Sequence, residues 1–272
     1  MTLPISIIIC VKNEVNSIKN TIESVLNIDV DEIIVVDGNS TDGTLDIIKT
    51  YNITLYSVGD KGLGCSRQLG CMNSHSDYVC YIDSDTIVPN PNTLSIMLNE
   101  LKSNNWIAIQ AQMYDPRENK TLWELGEFFE WQNNYNIPGE KKFLGTNVCI
   151  FNREILLKYG FDIDIKGAGE DADIFFRLKK DGYKFGRSNE KVYYYFKSNL
   201  KEFLKQRFWY GKGNGQFIIK HGSISLLITP FGIMLRGMMN SIKFEKPVLM
   251  MYYITWGVSL WFGTLFGIVN KN

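Results

Sequence analysis

The feature that most constrains the fold is a run of apolar residues near the start of the chain. Ile5 to Val11, with the sequence ISIIICV, is apolar except at Ser6 and rich in isoleucine. A strand buried on one face alternates apolar and polar residues, whereas a nearly continuous apolar run predicts a strand covered on both faces. Such strands occur mainly in parallel sheets with helices on both sides. The run therefore predicts an α/β protein.

The following segments repeat a strand and helix alternation. Apolar residues at helical spacing from Asn13 to Leu26 predict a helix, and Asp31 to Val36 predicts a strand that ends at Asp37. Tyr78 to Ile82 predicts a later strand that runs directly into Asp83. Ligands of open α/β sheets bind beyond the carboxyl ends of the strands. The polar residues that follow these strands are therefore candidates for a binding site.

The second half of the chain is expected to be less regular. Gly145 to Phe151 predicts a strand, and Asp171 to Lys180 predicts a helix with its apolar residues turned inward. The aromatic stretch from Leu122 to Trp131 offers apolar surface for a lipid, an acceptor or a second subunit. We expect this half to combine helices and strands without a strict alternation.

The C-terminal part changes in character. Pro247 to Val269 is an uncharged stretch of about 23 residues, which matches the length of one membrane-spanning helix. Ser223 to Leu235 is also uncharged but shorter, and it suits a helix that lies in the membrane interface. The alternative is a pair of buried helices on a soluble domain. The cations that precede the long stretch outnumber the one that follows it, which favours the cytoplasmic face of the cell membrane.

Composition excludes several classes of function. The chain of 272 residues has 29 basic and 29 acidic residues, so it lacks the positive charge expected of a nucleic-acid-binding protein. Two histidines and five cysteines without a CxxC pair make a zinc site or a Ser-His-Asp hydrolase hard to assemble. Any metal must therefore be held by carboxylates. An odd number of cysteines suits free thiols in a reducing compartment.

Four polar segments are candidates for chemistry. Asp37 precedes GNSTDGT and could bind a base or ribose, or simply hold a turn. Asp83 and Asp85, in the sequence DSD, suit Mg²⁺ or Mn²⁺, with a solvated turn as the alternative. Arg67 lies in the glycine-flanked segment GLGCSRQLG and could hold a phosphate. The segment GAGEDAD, residues 167–173, either supplies a general base or caps a helix.

Together these segments resemble the inverting family 2 glycosyltransferases with the GT-A fold. The resemblance rests on their order and spacing over roughly residues 5 to 220. The motifs that carry it are ISIIICVKNE, VVDGNSTDGT, GCSRQLG, YIDSDT, GTNVCIFNREILLKYGFD, GEDADIFFRLKKDGYKF and QRFWYGKGNG. The fold implied is a Rossmann-like, mostly parallel sheet with flanking helices, followed by C-terminal apolar helices. We predict a catalytic domain at residues 1–220 and a membrane-associated segment at residues 221–272.

The resemblance also implies roles for individual residues. The nucleotide-sugar donor would be bound by Val11, Glu14, Asp37, Arg67, Asp83, Ser84 and Asp85. Asp85 and Asp83 would hold Mn²⁺ or Mg²⁺, and Asp171, with Glu170 beside it, would be the catalytic base. The acceptor and diphosphate side would be lined by Gly145, Thr146, Asn147, Gln206, Arg207 and Trp209. Gly38 stands where the family usually has a second Asp, so the resemblance leaves the nucleotide base open.

The function expected is transfer of a sugar from a UDP-sugar or GDP-sugar to a lipid-linked or cell-envelope glycan acceptor, with inversion at the anomeric carbon. One alternative is a polyprenyl-phosphate or dolichyl-phosphate sugar synthase, which shares the core and the membrane tail. An alternative of another class is a non-catalytic sugar-nucleotide-binding protein. The presence of all the expected carboxylates favours an enzyme. The sugar, the linkage and the oligomeric state stay open, because pocket shape decides specificity.

Overall fold

The computed structural model describes residues 2–165 and 168–270. The strands are β1 Leu3–Val11, β2 Val30–Asp37, β3 Thr54–Ser57, β4 Tyr78–Asp83, β5 Thr86–Ile87, β6 Ala108–Tyr114, β7 Gly139–Glu140, β8 Cys149–Asn152 and β9 Phe185–Tyr194. The helices are α1 Ile18–Val25, α2 Thr44–Ile48, α3 Leu63–Met72, α4 Thr93–Ser103, α5 Leu122–Glu130, α6 Arg153–Tyr159, α7 Glu170–Lys180, α8 Leu200–His221, α9 Thr229–Lys243 and α10 Val248–Val269. A π-helical turn follows α5, and a short 3₁₀ helix precedes α9.

The strands form one sheet in the order β3-β2-β1-β4-β8-β6-β9-β5, with β7 paired to β9. Strands β3, β2, β1 and β4 are parallel, as the apolar runs predict. β8 enters antiparallel between β4 and β6, whereas β9 runs parallel to β6. The predicted α/β class, with a central sheet and flanking helices, is confirmed.

The core forms where the sequence is most apolar. Ile5, Ile7, Ile8 and Ile9 of β1 are fully buried, because β1 lies between β2 and β4 and its faces are covered. Helix α3 packs closely on β1 and β2, since a Cβ atom at Gly70 would lie only 2.5 Å from Ile8 Cγ2. This close approach places the α3 side chains beside the carboxyl ends of the parallel strands.

Two predicted boundaries are wrong. The helix expected from Asn13 begins at Ile18, because the backbone amides of residues 13–15 bond to side chains of the segment after β2. The strand expected from Gly145 begins at Cys149, because Gly145 and Asn147 bond to Gln110 in β6. In both places side-chain hydrogen bonds replace regular backbone pairing. The first irregular segment follows β1 and the second precedes β8, and both strands end or begin at the candidate site.

The described residues divide into two compact units. The first lies within Met1–Tyr114, Asn136–Asp164 and Asp171–Tyr195, and the second within Asp115–Tyr135, Ile165–Glu170 and Phe196–Asn272. The first unit contains the whole sheet. The second is built from α5, α8, α9 and α10. The division at residue 220, inferred from the resemblance, stays a prediction.

Buried charges join the helices of the second unit. Glu130 at the end of α5 is fully buried, and its carboxylate accepts hydrogen bonds from Arg236 of α9 (2.6 Å), Tyr253 of α10 (2.8 Å) and Asn134 (3.0 Å). Burial raises the pKa of the Glu130 carboxyl. Because a buried carboxylate needs such partners, this cluster fixes the relative positions of α5, α9 and α10.

The long apolar stretch of the C-terminus forms α10. Among the described residues, this helix alone is long and apolar enough to cross a membrane, a criterion that a buried core helix also meets. Half of its most apolar stretch is buried, and it packs against α8, α9 and α5. The rest of α10 exposes an apolar stripe that includes Ile254, Val258, Phe262 and Phe266.

Candidate active site

The candidate site lies at the carboxyl ends of three adjacent parallel strands. Register pairs Val11 of β1 with Asp37 of β2, and Cys10 of β1 with Asp83 of β4. Because neighbouring strands lie only about 5 Å apart, this register brings the ends of three predicted donor-binding segments together. Asp37 also pairs with Ser57 at the end of β3.

Asp37 holds the segment that follows its own strand. Its side chain is 1% exposed and accepts hydrogen bonds from the backbone amides of Asn39 (2.9 Å) and Ser40 (3.1 Å). The amide of Gly38 donates to the carbonyl oxygen of Val11 at 2.8 Å. The turn-holding role that the sequence allowed is therefore present. Binding of a base by Asp37 stays a prediction.

The segments after β1 and β2 are joined to each other. Asn13 accepts from the amide of Thr41 at 2.8 Å, and the amide of Glu14 donates to Thr44 Oγ1 at 2.8 Å. Asp42 accepts from the Thr44 hydroxyl, which lowers the pKa of the Asp42 carboxyl. The partly buried Glu14 and the buried Val11 are thus held against the Asp37 segment.

Arg67 of α3 is fixed beside the DSD segment. Its side chain is 5% exposed, and its guanidinium donates to Asp83 Oδ1 at 3.3 Å. The side chain of Asp83 is 40% exposed, so it remains open to a ligand. Ser84 is buried, and its carbonyl oxygen accepts from Thr21 at 2.9 Å. Asp85 is partly buried in the turn before β5. The structure thus brings Arg67 and Asp83 together, with Asp85 two residues further along the chain.

Asn147 connects the DSD segment with the turn before β8. Its side-chain oxygen accepts from the backbone amide of Asp83 at 3.0 Å, and its side-chain nitrogen donates to Thr86 Oγ1 at 2.8 Å. The neighbouring Thr146 is buried, and Val148 adopts a φ of 41°. Such a backbone conformation is rare for a β-branched residue and is typical of functional sites.

Gln110 is a residue of this site that the sequence analysis missed. It is 1% exposed in β6, donates to the carbonyl oxygen of Asn147 at 3.0 Å and accepts from the amide of Gly145 at 2.9 Å. Buried Arg187 of β9 donates to the same Gln110 oxygen at 2.8 Å. Glutamine within the apolar strand sequence IAIQAQ was the available signal, because a buried polar side chain requires partners.

Asp171 lies next to the Gly145 turn. A Cβ atom built on Gly145 would be 3.8 Å from Asp171 Oδ2. Asp171 is partly buried in the first turn of α7, whereas Asp173 is fully buried and bonded to Arg177 at 2.8 Å. Of the two aspartates, Asp171 is therefore the less buried, and its role as a base stays a prediction. Gly167, at the start of the GAGEDAD motif, lies outside the described residues.

The donor set fits a hard divalent cation. Among the described residues there is no group of three or more His, Cys, Asp or Glu side chains that could hold a metal ion. Asp83 and Asp85 offer two carboxylates, and Mg²⁺ is commonly bound by one or two carboxylates together with substrate phosphates and water. Asp85 and Asp83 stay the predicted ligands.

The remaining predicted residues belong to the second unit. Glu170 is buried, Gln206 is partly buried and Trp209 is 37% exposed. Arg207 is 5% exposed, pairs with Glu127 and lies over the rings of Phe203, Tyr210 and Trp256. Within its unit Arg207 is therefore a core cation. Its predicted role toward a diphosphate or acceptor stays a prediction.

We predict that Asn147→Leu weakens the connection between the DSD segment and the Gly145 turn. Loss of the side-chain amide should leave the backbone amide of Asp83 and the buried hydroxyl of Thr86 without this partner and lower the free energy of unfolding by about 1–3 kcal/mol. Chemical denaturation measures this value. The control is Asn104→Leu at the exposed end of α4, which should change it by less than about 0.5 kcal/mol. Equal effects of the two substitutions would contradict the bridging role.

Comparison with known proteins agrees with this geometry. Residues 6–160, more than half of the chain, match Glycosyl transferase family 2. A relative in Methanococcus voltae, dolichyl N-acetyl-alpha-D-glucosaminyl phosphate 3-beta-D-2,3-diacetamido-2,3-dideoxy-beta-D-glucuronosyltransferase, is 28% identical over 85% of this chain and 78% of its own. The minor teichoic acid biosynthesis protein GgaA of Bacillus subtilis is 25% identical over 83% of this chain, which spans 54% of that protein.

A solved structure shows the same fold. The mannosyltransferase PcManGT from Pyrobaculum calidifontis, in complex with GDP-Man and Mn²⁺, superposes with a TM-score of 0.71. The match covers 97% of this chain and 88% of that one at 15% identity, so the likeness concerns the fold. The motif order, the site geometry and the family match agree. The chain belongs to glycosyltransferase family 2 and is a glycosyltransferase enzyme.

Proposed function

We propose that this enzyme transfers a sugar from a UDP-sugar or GDP-sugar to a lipid-linked or cell-envelope glycan acceptor, with inversion at the anomeric carbon. The observation that carries the proposal is the set of hydrogen bonds from Asp83 through Asn147 and Gln110 to Gly145, which adjoins Asp171. These bonds fix the candidate metal and donor segment relative to the candidate base.

The donor is proposed to bind across the ends of β1, β2 and β4. Val11, Glu14 and Asp37 would contact the nucleoside, and Arg67 would hold a phosphate or the base. Asp83 and Ser84 would contact the ribose. The joined segments after β1 and β2 support this proposal, because a preformed pocket loses little conformational entropy when the donor binds. The solved relative with GDP-Man and Mn²⁺ supports a nucleotide sugar as donor.

Mn²⁺ or Mg²⁺ is proposed as the cofactor, held by Asp85 and Asp83. When bound, such a cation would offset the negative charge that develops on the leaving diphosphate. The Arg67–Asp83 pair supports the proposal, because the guanidinium orients one carboxylate, and Asp85 follows two residues later in the turn before β5. The remaining coordination positions suit diphosphate oxygens and water.

Asp171 is proposed to act as general base, with Glu170 beside it. Its carboxylate would take the proton from an acceptor hydroxyl as the oxygen attacks the anomeric carbon. The new glycosidic bond forms on one face while the bond to the nucleoside diphosphate breaks on the other. This single displacement inverts the anomeric configuration. If the acceptor is an anionic phosphate, the base instead orients it.

Asp171→Asn should lower kcat by about 10²- to 10⁴-fold, because the amide cannot accept the proton. The dissociation constant for the donor should stay unchanged, since Asp171 lies outside the proposed nucleotide pocket. Release of nucleoside diphosphate gives kcat, and calorimetry gives donor binding. The matched control is Asp164→Asn at an exposed position, which should retain full activity. Wild-type turnover by Asp171→Asn would remove the base assignment.

Asp85→Ala should abolish metal-dependent turnover while leaving the fold intact, because it removes the carboxylate that is proposed as the first metal ligand. Turnover measured over a titration of Mn²⁺, with melting temperature as the check on folding, gives the test. Full activity of wild-type enzyme in excess chelator would exclude a metal requirement. Asp77→Ala, an exposed residue before β4, is the matched control and should behave like wild type.

A lipid-linked acceptor is supported by an apolar groove between α8 and α10 in the second unit. Its lining includes Leu204, Phe208, Ile254, Val258 and Phe262, with Lys205 as the charged member. The hydroxyl of Ser259 donates to the Leu204 carbonyl oxygen at 3.0 Å. The lining thus suits an apolar chain, and Lys205 suits its phosphate. The name of the Methanococcus voltae relative, with its dolichyl phosphate, points the same way.

Association with the cytoplasmic face of the cell membrane is proposed for residues 221–272, and catalysis for residues 1–220. The outer faces of α9 and α10 are apolar, which is unusual for a surface in water; their exposed residues include Phe231, Leu235, Met238, Met239, Ile242, Ile254, Val258 and Phe262. α10 packs along α8, which carries Lys201, Glu202, Lys205 and Lys212. A spanning α10 would draw these charges into hydrocarbon, so an interfacial position is favoured.

The double substitution Ile254→Glu and Phe262→Glu should reduce binding to vesicles, because it places two charges on the proposed membrane face. Co-sedimentation with vesicles that contain anionic lipid gives the partition coefficient, which should fall by about 30-fold for a loss of about 2 kcal/mol. The matched control places glutamates at the exposed Met72 and Ile163 of the first unit. Unchanged binding by the first variant would place the membrane contact elsewhere.

A further inference from the structure

Helix α8 carries three glycines at two-residue steps, Gly211, Gly213 and Gly215. Two residues turn an α-helix by about 200°, so Gly213 faces away from the other two. Glycine inside a helix costs about 1 kcal/mol relative to alanine, so three of them in five residues need a packing reason. Each of the two faces of α8 makes a close packing contact that leaves no room for a side chain.

Gly211 and Gly215 meet the backbone of α10. A Cβ atom at Gly211 would lie 2.8 Å from Gly263 Cα, and one at Gly215 would lie 2.7 Å from Gly267 Cα. In return, a Cβ atom at Gly263 would lie 3.0 Å from Gly211 Cα. The two helices therefore touch backbone to backbone. With no side chain between them, α8 cannot move toward α10.

Gly213 meets the segment that leads into α7. A Cβ atom at Gly213 would lie 2.5 Å from the carbonyl carbon of Ala168 and 3.3 Å from the amide nitrogen of Gly169. Gly169 has a φ of 126°, which a residue with a side chain rarely adopts, and its own Cβ would lie 3.4 Å from Gly213 Cα. The close contact between the helix and this segment thus requires glycine at both positions, Gly213 and Gly169.

We infer that Gly213 is a positioning residue for the reaction: it supports residues 168–170 and thereby sets where α7 begins. The inference rests on the proposed function, because Glu170 opens α7 and Asp171 is the proposed base. α10 holds one face of α8, so a side chain at Gly213 displaces the segment and not the helix. A displacement of about 1 Å at a reacting group costs up to about 100-fold in rate.

The test compares Gly213→Ala with two matched substitutions in the full-length enzyme. Gly232→Ala in α9 adds a Cβ atom that meets no atom within 4 Å, and Gly215→Ala disturbs α8 only on its α10 face. For each variant, release of nucleoside diphosphate gives kcat and the donor KM. Hydrogen exchange measured by mass spectrometry reports the peptide over residues 163–170, and the melting temperature reports overall stability.

Gly213→Ala should lower kcat by about 10- to 100-fold, leave the donor KM within about twofold and speed exchange in residues 163–170. Gly215→Ala should lower the melting temperature at least as much while retaining more of kcat. Gly232→Ala should retain wild-type kcat and exchange, with a melting temperature no lower than that of wild type. Gly213→Ala with wild-type kcat and exchange would overturn the inference. The inference would also be overturned if Gly213→Ala lowered kcat no more than Gly215→Ala does.

The exchange measurement separates this inference from the proposed function. If wild-type enzyme releases no nucleoside diphosphate from any donor, the proposed function fails, but exchange can still be compared between variants. Faster exchange confined to residues 163–170 in Gly213→Ala then supports the positioning role. Unchanged exchange there overturns it, whatever the activity of the enzyme.

Discussion

The parallel pairing of β1 with β2 on one side and with β4 on the other is the constraint on which the candidate site depends. This pairing buries the isoleucines of β1 and sets the register that brings Val11 and Asp37 to one edge of the sheet, with Asp83 beside them. A shift of one residue would turn every side chain of β1 to the opposite face. The apolar core and the site geometry are therefore consequences of the same register.

Hydrogen bonds and an ion pair outside the regular strand pairing complete the candidate site. Asn147 and Gln110 hold the turn before β8 against the end of β4, and Arg67 approaches from α3, which packs closely on the sheet at Gly70. Gln110 and Arg67 are buried, Asn147 is partly buried, and all three have polar partners, so these bonds contribute to specificity of the structure as well as to stability. These bonds hold the turn at Gly145, which adjoins Asp171, in place. The proposed function thus depends on irregular segments that a rigid sheet supports.

The sequence predicted the parallel half of the fold because long apolar runs and helical spacing are local signals. It also pointed, through motif order, to Asp37, Arg67, Asp83 and Asp171 as site candidates, and their roles stay predictions. It missed β9, whose sequence FGRSNEKVYY contains polar residues and a glycine, because tertiary pairing with β6 decides its conformation. Gln110 was missed because its importance depends on partners distant in sequence. The role of the α8 glycines could not be predicted, because it depends on α10 and on residues 168–169, which are distant in sequence.

The activity proposed for this chain is transfer of sugar from a nucleoside-diphosphate sugar. The most direct measurement is release of nucleoside diphosphate across a panel of UDP-sugars and GDP-sugars, with Mn²⁺ or Mg²⁺ present or withheld. We expect metal-dependent release with one donor, at the slow rate of hydrolysis when no acceptor is supplied. Absence of release from every donor, together with no rise in melting temperature on addition of any nucleotide, would contradict it.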